Sequence, residues 1–224
     1  MRAFFVHIEL RLGRLNSIKD GRRIYMADHY FTNQPNSKTD KKVFSFTLRG
    51  NTIKFQSDAG VFSRNEVDFG SRVLIEAFTF PGIEGTILDV GCGYGPIGLS
   101  IAKEDENRLV EMVDVNLRAI ELAKENAKVN NIENVKIYES SIYENVTGLY
   151  AAILTNPPIR AGKVVVHTIL REAHEKLLPG GELWVVIQKK QGAPSALDLL
   201  KELFDEVEVV KKEKGYYIIK SKKD

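Results

Sequence analysis

The sequence predicts an α/β protein built on a mostly parallel sheet, and three observations carry that expectation. From Thr86 onward short apolar runs alternate with helical stretches, the pattern of a parallel sheet covered on both faces. A glycine-rich turn stands behind the first of those runs, in Ile87-Leu-Asp-Val-Gly-Cys-Gly-Tyr-Gly-Pro-Ile-Gly98. Two tail segments, 206–210 and 216–219, joined by Lys-Lys-Glu-Lys-Gly, read as a terminal hairpin that brings an antiparallel strand to the sheet and its total to seven.

Taken in order, residues 31–42 are polar and turn-rich and read as a loop. Residues 43–48 and 52–55 alternate in polarity and form a hairpin turned at Gly50-Asn51. A second loop over 57–63 precedes a helix through Val73, Leu74 and Phe78, capped by Ser71 and ended at Pro81-Gly82. Sheet strands are expected at 87–90, 109–113, 135–138, 151–154 and 183–187. Between them one helix over 117–129 sets Ile120, Ala123 and Ala127 on one face; another over 165–178 closes at Pro179-Gly180-Gly181.

Composition excludes several classes. No apolar stretch approaches the roughly 18 residues of a membrane span, and the start shows neither a signal-peptide core nor a cleavage site. A lone cysteine, Cys92, leaves no internal disulfide and no multi-cysteine metal site, which fits a cytoplasmic protein. Net charge is +2, and six basic residues fall within 1–25 against two acidic ones, so bulk charge argues for no nucleic-acid partner. Arg22-Arg23 can be encoded AGG-AGG, a ribosome-binding sequence well placed ahead of Met26. Residues 1–25 are therefore either a misread upstream leader or a genuine extension. Residues 26–80 would form a hairpin-and-helix extension, and 81–224 the main domain.

The glycine turn lets the backbone bend tightly and lie close to a ligand, where a Cβ would collide. Gly93-Tyr-Gly95-Pro-Ile-Gly98 matches a dinucleotide fingerprint, and Asp114, ending the next strand, suits any ribose-bearing cofactor. Asp89 argues the other way: a carboxylate ahead of the first glycine repels a pyrophosphate but suits the cationic amino group and sulfonium of S-adenosylmethionine. Asn156-Pro157-Pro158, after the fourth strand, has no use in hydride transfer.

Asp89-Val-Gly-Cys-Gly-Tyr-Gly, Asp114-Val-Asn116 and Asn156-Pro-Pro resemble the motifs of class I S-adenosylmethionine-dependent methyltransferases, which have a Rossmann-like fold. The closer resemblance is to the methyltransferase small domain group, with its RsmC-like rRNA guanine-N2 methyltransferases. It takes in His29-Tyr-Phe, Gly60-Val-Phe-Ser63, Asp68-Phe-Gly-Ser71, residues 156–163, Gly215-Tyr-Tyr and Lys220-Ser-Lys-Lys223, and so runs from Met26 to the end. It implies that Asp89, Gly91, Cys92, Gly93, Tyr94 and Gly95 hold the methionine part of the cofactor, with Asn156 at its reacting end. Asp114, Val115 and Asn116 would meet the ribose; Ser140, Ser141 and Ile142 the adenine. Where the group usually has a carboxylate for the adenine amino group, Ser141 stands here. A hydroxyl accepts that bond without charge assistance, so somewhat weaker cofactor binding is expected.

At the reacting end, an amino group conjugated to a purine or amide is a poor nucleophile. The Asn156 amide oxygen and the Pro157 carbonyl would accept its two N–H bonds and favour a pyramidal nitrogen, while consecutive prolines keep the carbonyls still. No metal or covalent intermediate is needed. Ile159 follows where many relatives place a base-stacking aromatic; Tyr94, Phe62 and Tyr143 are the candidates to stack instead. Arg160 and Lys163 would meet phosphates, or form an ordinary solvated loop. His167 and His174, seven apart without further ligands, read as packing residues, Trp184 as core, and the tail lysines as a solvated edge that could also guide RNA. The leading expectation is methylation of an exocyclic amine, by resemblance guanine N2 of small-subunit (16S) rRNA, free or in a ribosomal particle, by a monomer or homodimer. A protein glutamine amide, adenine or small amine is the alternative substrate, and an inactive RNA-binding module the alternative of another class.

Overall fold

A computed structural model describes residues 40–63 and 65–224. The expectations for residues 1–25, the start at Met26, His29-Tyr-Phe and most of the 31–42 loop lie outside the described residues.

A two-stranded hairpin comes first, β1 (Lys42–Leu48) and β2 (Asn51–Ser57), followed by helix α1 (Phe69–Ala77). The alternating core then runs β3 (Ile87–Val90), α2 (Pro96–Glu104), β4 (Val110–Asp114), α3 (Leu117–Val129), β5 (Val135–Glu139), β6 (Tyr150–Thr155), α4 (Lys163–Lys176), β7 (Leu177–Gln188), α5 (Ala193–Leu203), β8 (Glu206–Glu213) and β9 (Tyr216–Lys222). Seven strands form one sheet in the order β5-β4-β3-β6-β7-β9-β8, with β9 alone antiparallel to its neighbours. This is the Rossmann-like sheet expected, its central strands β3 and β6 buried along their whole length.

Apolar side chains fill both faces of the sheet. On one, the hairpin's Leu48, Ile53 and Phe55 join Leu74, Ile97, Met112, Ile120 and Trp184. On the other, Ile169, Leu170 and Ala173 of α4 and Leu199 and Leu200 of α5 pack against Ile153, Leu183 and Ile219. The hairpin is fastened to α3 by Asn126, whose buried amide accepts from the Gln56 N–H (2.6 Å) and donates to the carbonyls of Gln56 (3.0 Å) and Tyr94 (2.9 Å). Asn130 repeats the arrangement with Lys54 one turn on.

Four local expectations change. The hairpin turns at Arg49-Gly50, both at positive φ, and Asn51 already pairs with Leu48. The cap of α1 is Asp68, accepting from the Ser71 N–H at 3.1 Å, and Ser71 lies inside the helix. That helix ends at Ala77, where the Arg49 guanidinium takes the carbonyls of Ile75 and Phe78, both at 2.7 Å. The α4 helix stops at Lys176, and Pro179-Gly180-Gly181 forms an irregular start to β7, where a Cβ on Gly181 would come within 2.9 Å of the Tyr150 carbonyl. Helix α5 was not among the elements named from sequence.

Among the tail lysines, Lys211, Lys220 and Lys222 pair with Glu213, Glu208 and Glu206 at 3.0–3.6 Å. Lys223 donates to the His174 and Leu177 carbonyls, capping the end of α4. His174 meets the Phe204 ring edge-on, and His167 Nε2 lies 3.2 Å from Ser195 Oγ. No described helix is long and apolar enough to cross a membrane.

Candidate active site

Strand order reverses between β3 and β6: β4 and β5 extend the sheet one way from β3, while β6 and β7 extend it the other. A crevice opens at the carboxyl ends on either side of such a switch point. Into it run the three segments singled out from sequence: 89–95 after β3, 114–116 after β4 and 156–163 after β6. Thr155 Oγ donates to the Val90 carbonyl at 2.9 Å, tying the last residue of β6 to the last of β3 and bringing Asn156 beside the glycine turn.

Asp89 is buried. Its Oδ2 accepts from the Gly98 N–H at 2.8 Å, whereas Oδ1 has no partner among the described residues. Burial pushes its carboxyl up to about 7; the Gly98 N–H opposes this and the Asp114 charge adds to it. A buried carboxylate with one oxygen orphaned is a receptor for a cation. Behind it, the N–H groups of Gly91 and Cys92 both donate to the Val113 carbonyl at 2.9 Å.

The glycines divide by task. Gly91 and Gly93 adopt positive φ, and a Cβ on either would project into open space. Gly95 and Gly98 are required by packing, since a Cβ there would come 2.8 Å from Leu99 and 2.7 Å from Met112 respectively. So the backbone at 91–93 borders the crevice, while 95–98 presses α2 onto β4. Cys92 is buried, which together with the neighbouring carboxylates pushes its thiol well above the usual range and leaves it inert.

Asp114 closes the second side. Its Oδ2 accepts from the Gly93 N–H (2.9 Å) and its Oδ1 from the Asn116 N–H (2.8 Å), leaving lone pairs for hydroxyl donors. Burial raises its carboxyl, and these two N–H groups and that of Val115 oppose the rise. Asn116 caps α3 through Oδ1 and donates from Nδ2 to the Gly60 carbonyl at 3.0 Å, while Tyr94 Oη donates to the Glu66 carbonyl at 3.2 Å. The loop between β2 and α1 is thus pinned over this end of the crevice. Ser140 is buried, its hydroxyl donating to the Ile142 carbonyl and accepting from the Asn145 N–H. Ser141 is exposed, and Ile142 sits at φ 53°, a strained conformation for a β-branched residue.

Asn156 turns its Nδ2 toward Asp68 Oδ1 (3.2 Å) and Ser71 Oγ (3.0 Å), which leaves Oδ1 facing away from both. The Pro158 carbonyl accepts from the Ala161 N–H, whereas among the described residues none donates to that of Pro157. Ile159 packs in part against the apolar cluster under α4, and Arg160 and Lys163 are exposed.

Of the aromatic candidates, two are corrected. Tyr94 and Tyr143 are 2% and 3% exposed; Tyr94 packs edge-on to Phe44 and Phe55, and Tyr143 donates to the Ile169 carbonyl, so neither ring has a face for a base. Phe62, 61% exposed on the pinned loop, has one. Sequence reasoning missed the contacts of Asp68 and Ser71 with Asn156: their spacing signals a helix cap, and nothing in it points to a residue 88 positions on. No group of three or more metal-ligating side chains occurs among the described residues.

The Methyltransferase small domain family matches this chain over residues 52–220. The chain is 60% identical over 200 residues to YbxB of Bacillus subtilis, across 88% of this chain and 100% of that protein. It is 32% identical over 188 residues to Ribosomal RNA small subunit methyltransferase C of an Enterobacter species, across 82% of this chain and 54% of the relative. The structure resembles that of the T. thermophilus 16S rRNA N2 G1207 methyltransferase (RsmC) in complex with AdoMet and guanosine, with a TM-score of 0.73 and 25% identity over 85% of this chain and 52% of that one. The chain therefore spans about half the length of these RsmC relatives.

Proposed function

This chain belongs to the Methyltransferase small domain family, whose cofactor is S-adenosylmethionine, and we propose that it methylates an exocyclic amino group, best fitted by guanine N2 of small-subunit (16S) rRNA. The observation that carries this reading is the junction of β3 and β6. There Asn156 and Pro157 follow the strand paired with β3, bringing an amide oxygen and a carbonyl that no described N–H reaches to the same end of the sheet as Asp89, whose Oδ1 has no partner among the described residues.

When bound, S-adenosylmethionine supplies an electrophilic methyl group on a sulfonium. Asp89 Oδ1 would take its ammonium, with the backbone of Gly91, Cys92, Gly93, Tyr94 and Gly95 following the methionine part. Asp114, with Val115 and Asn116, would accept from the ribose hydroxyls. Ser140, Ser141 and Ile142 would border the adenine. Asn156 Oδ1 and the Pro157 carbonyl would accept the two N–H bonds of the reacting amine, aligning its lone pair, with Pro158 holding the turn rigid. Ile159 and the exposed Phe62 would flank the base, and Arg160 and Lys163 its phosphates.

Guanine is favoured over other planar amines by the RsmC relatives, one of which holds guanosine. The test is transfer of labelled methyl from S-adenosylmethionine to small-subunit rRNA, naked and in particles lacking the modification, with Asn156→Ala alongside. Label on a guanine, lost with the variant, supports the reading. Cofactor binding without transfer to any rRNA form overturns the guanine assignment and redirects it to protein amides, adenine and small amines. Sedimentation of the active species separates monomer from homodimer.

A further inference from the structure

We propose that Asp68 and Ser71 are positioning residues that lock the Asn156 amide with its oxygen turned to the substrate; the role rests on Asn156 being the acceptor of the reacting amine. An asparagine amide has two ends of nearly equal shape and opposite hydrogen-bonding sense. Only the end carrying oxygen can accept an N–H of the amine, and a half-turn about the last side-chain bond would present hydrogens to hydrogens.

The surroundings decide which end faces the crevice. Asp68 Oδ1, 3.2 Å from Asn156 Nδ2, can only accept, and a flipped amide would set two oxygens against each other at that distance. Ser71 Oγ, 3.0 Å away, takes the second hydrogen. A hydroxyl donates as readily as it accepts, so the carboxylate provides the discrimination and the serine completes it. With both N–H bonds spent, only Oδ1 is left. Donation to a carboxylate also polarises the amide and makes that oxygen a stronger acceptor.

Both partners are themselves held. The same Asp68 Oδ1 accepts from the Ser71 N–H as the cap of α1, and a Cβ on Gly70 would come 2.9 Å from the Tyr216 ring, so the first turn of the helix lies close against β9. On the other side, Asn156 follows Thr155, fixed to Val90. An ordered helix end and an ordered strand end therefore meet through this amide. This is the pre-set geometry that a methyl transfer needs, and small misplacements there are costly.

A purely structural tether would look similar in the static structure, so the test separates cap from clamp. Asp68→Ser keeps a good helix cap, but its oxygen sits one bond nearer the backbone and carries no charge, so it falls short of Asn156. Asp68→Asn keeps a carbonyl acceptor for both duties. Three quantities are read: methyl transfer to small-subunit rRNA, S-adenosylmethionine affinity by calorimetry, and the side-chain amide resonances of Asn156 in 15N spectra, assigned with Asn156→Ala. For Asp68→Ser the expected result is a kcat about tenfold or more below the parent, with cofactor affinity and RNA KM within about twofold and Tm within a few degrees. The Asn156 amide protons should exchange slowly in the parent, and in this variant exchange fast and shift. Asp68→Asn should recover part of kcat.

Parent-like turnover by Asp68→Ser, or unchanged Asn156 resonances in it, overturns the proposal. If Asn156→Ala is fully active, the reading of Asn156 falls and the clamp's purpose with it. If Asn156→Ala is dead and Asp68→Ser is not, only the clamp falls. Should no rRNA form accept methyl, the guanine assignment fails and the amide resonances still decide the clamp.

Discussion

The Gly98 N–H donates to one oxygen of Asp89 at 2.8 Å and leaves the other buried, without a partner among the described residues. One backbone group at the start of α2 therefore sets the orientation in which this carboxylate waits.

The carboxyl of Asp89 lies at about 7, against an ordinary 3.8, because it is buried. Folding thus favours its protonated form, and its contribution to the stability of the cofactor-free protein is greatest at low pH and falls as pH rises from about 4 to about 7. A cationic ligand requires the opposite form, so S-adenosylmethionine affinity should rise between pH 6 and 8. Asp89→Asn should flatten that rise, weaken binding by about 10- to 100-fold and raise the cofactor-free Tm at pH 8. Calorimetry and thermal melts across pH check all three; an unaltered pH dependence in the variant would refute the assignment.

Gly91→Ala and Gly98→Ala should fail differently. At Gly91 the new methyl projects into the crevice, so cofactor affinity should drop while stability falls by only about 1 kcal/mol for the positive φ. At Gly98 it meets Met112 at 2.7 Å, which should cost about 1–3 kcal/mol of stability. Met112→Ala, itself destabilising because the side chain is buried, should cost less beside Gly98→Ala than alone and the same beside Gly91→Ala as alone. Denaturant melts with binding isotherms on the parent, the single variants and the two doubles check this.

Asn126→Ala should cost about 2–4 kcal/mol, because it leaves the buried backbone groups of Gln56 and Tyr94 without their partner. Hydrogen exchange should rise first at the Gln56 amide, marking release of the hairpin before the sheet opens.

Ser141→Asp should tighten S-adenosylmethionine binding by several-fold. The position is exposed, so a carboxylate there displaces no buried packing. Unchanged affinity would remove Ser141 from the adenine border.

The sheet and the glycine turn were legible in the sequence because their signals are local: a buried run such as 151–154, or glycines at fixed offsets from Asp89. Misplaced boundaries arose where local signals compete. Ser71 reads as a good cap, but Asp68 stands three residues earlier with the longer reach, and Pro179-Gly180-Gly181 reads as a stop although β7 has already begun at Leu177. Tyr94 reads as a loop aromatic; Phe44 and Phe55, from the N-terminal hairpin, make it core. The Asp68–Asn156 contact spans 88 positions, and no periodicity or propensity in one chain encodes it.

That separation also imposes an order on synthesis. At about 5–20 residues per second, roughly 4–18 s pass between translation of Asp68 and that of Asn156. During this interval Asp68 can cap the start of α1 through the Ser71 N–H, but neither side chain has an amide to hold. The contact between α1 and the end of β6 is therefore acquired late in the nascent protein: β6 must be made and laid beside β3 before Asn156 can reach Asp68 and Ser71.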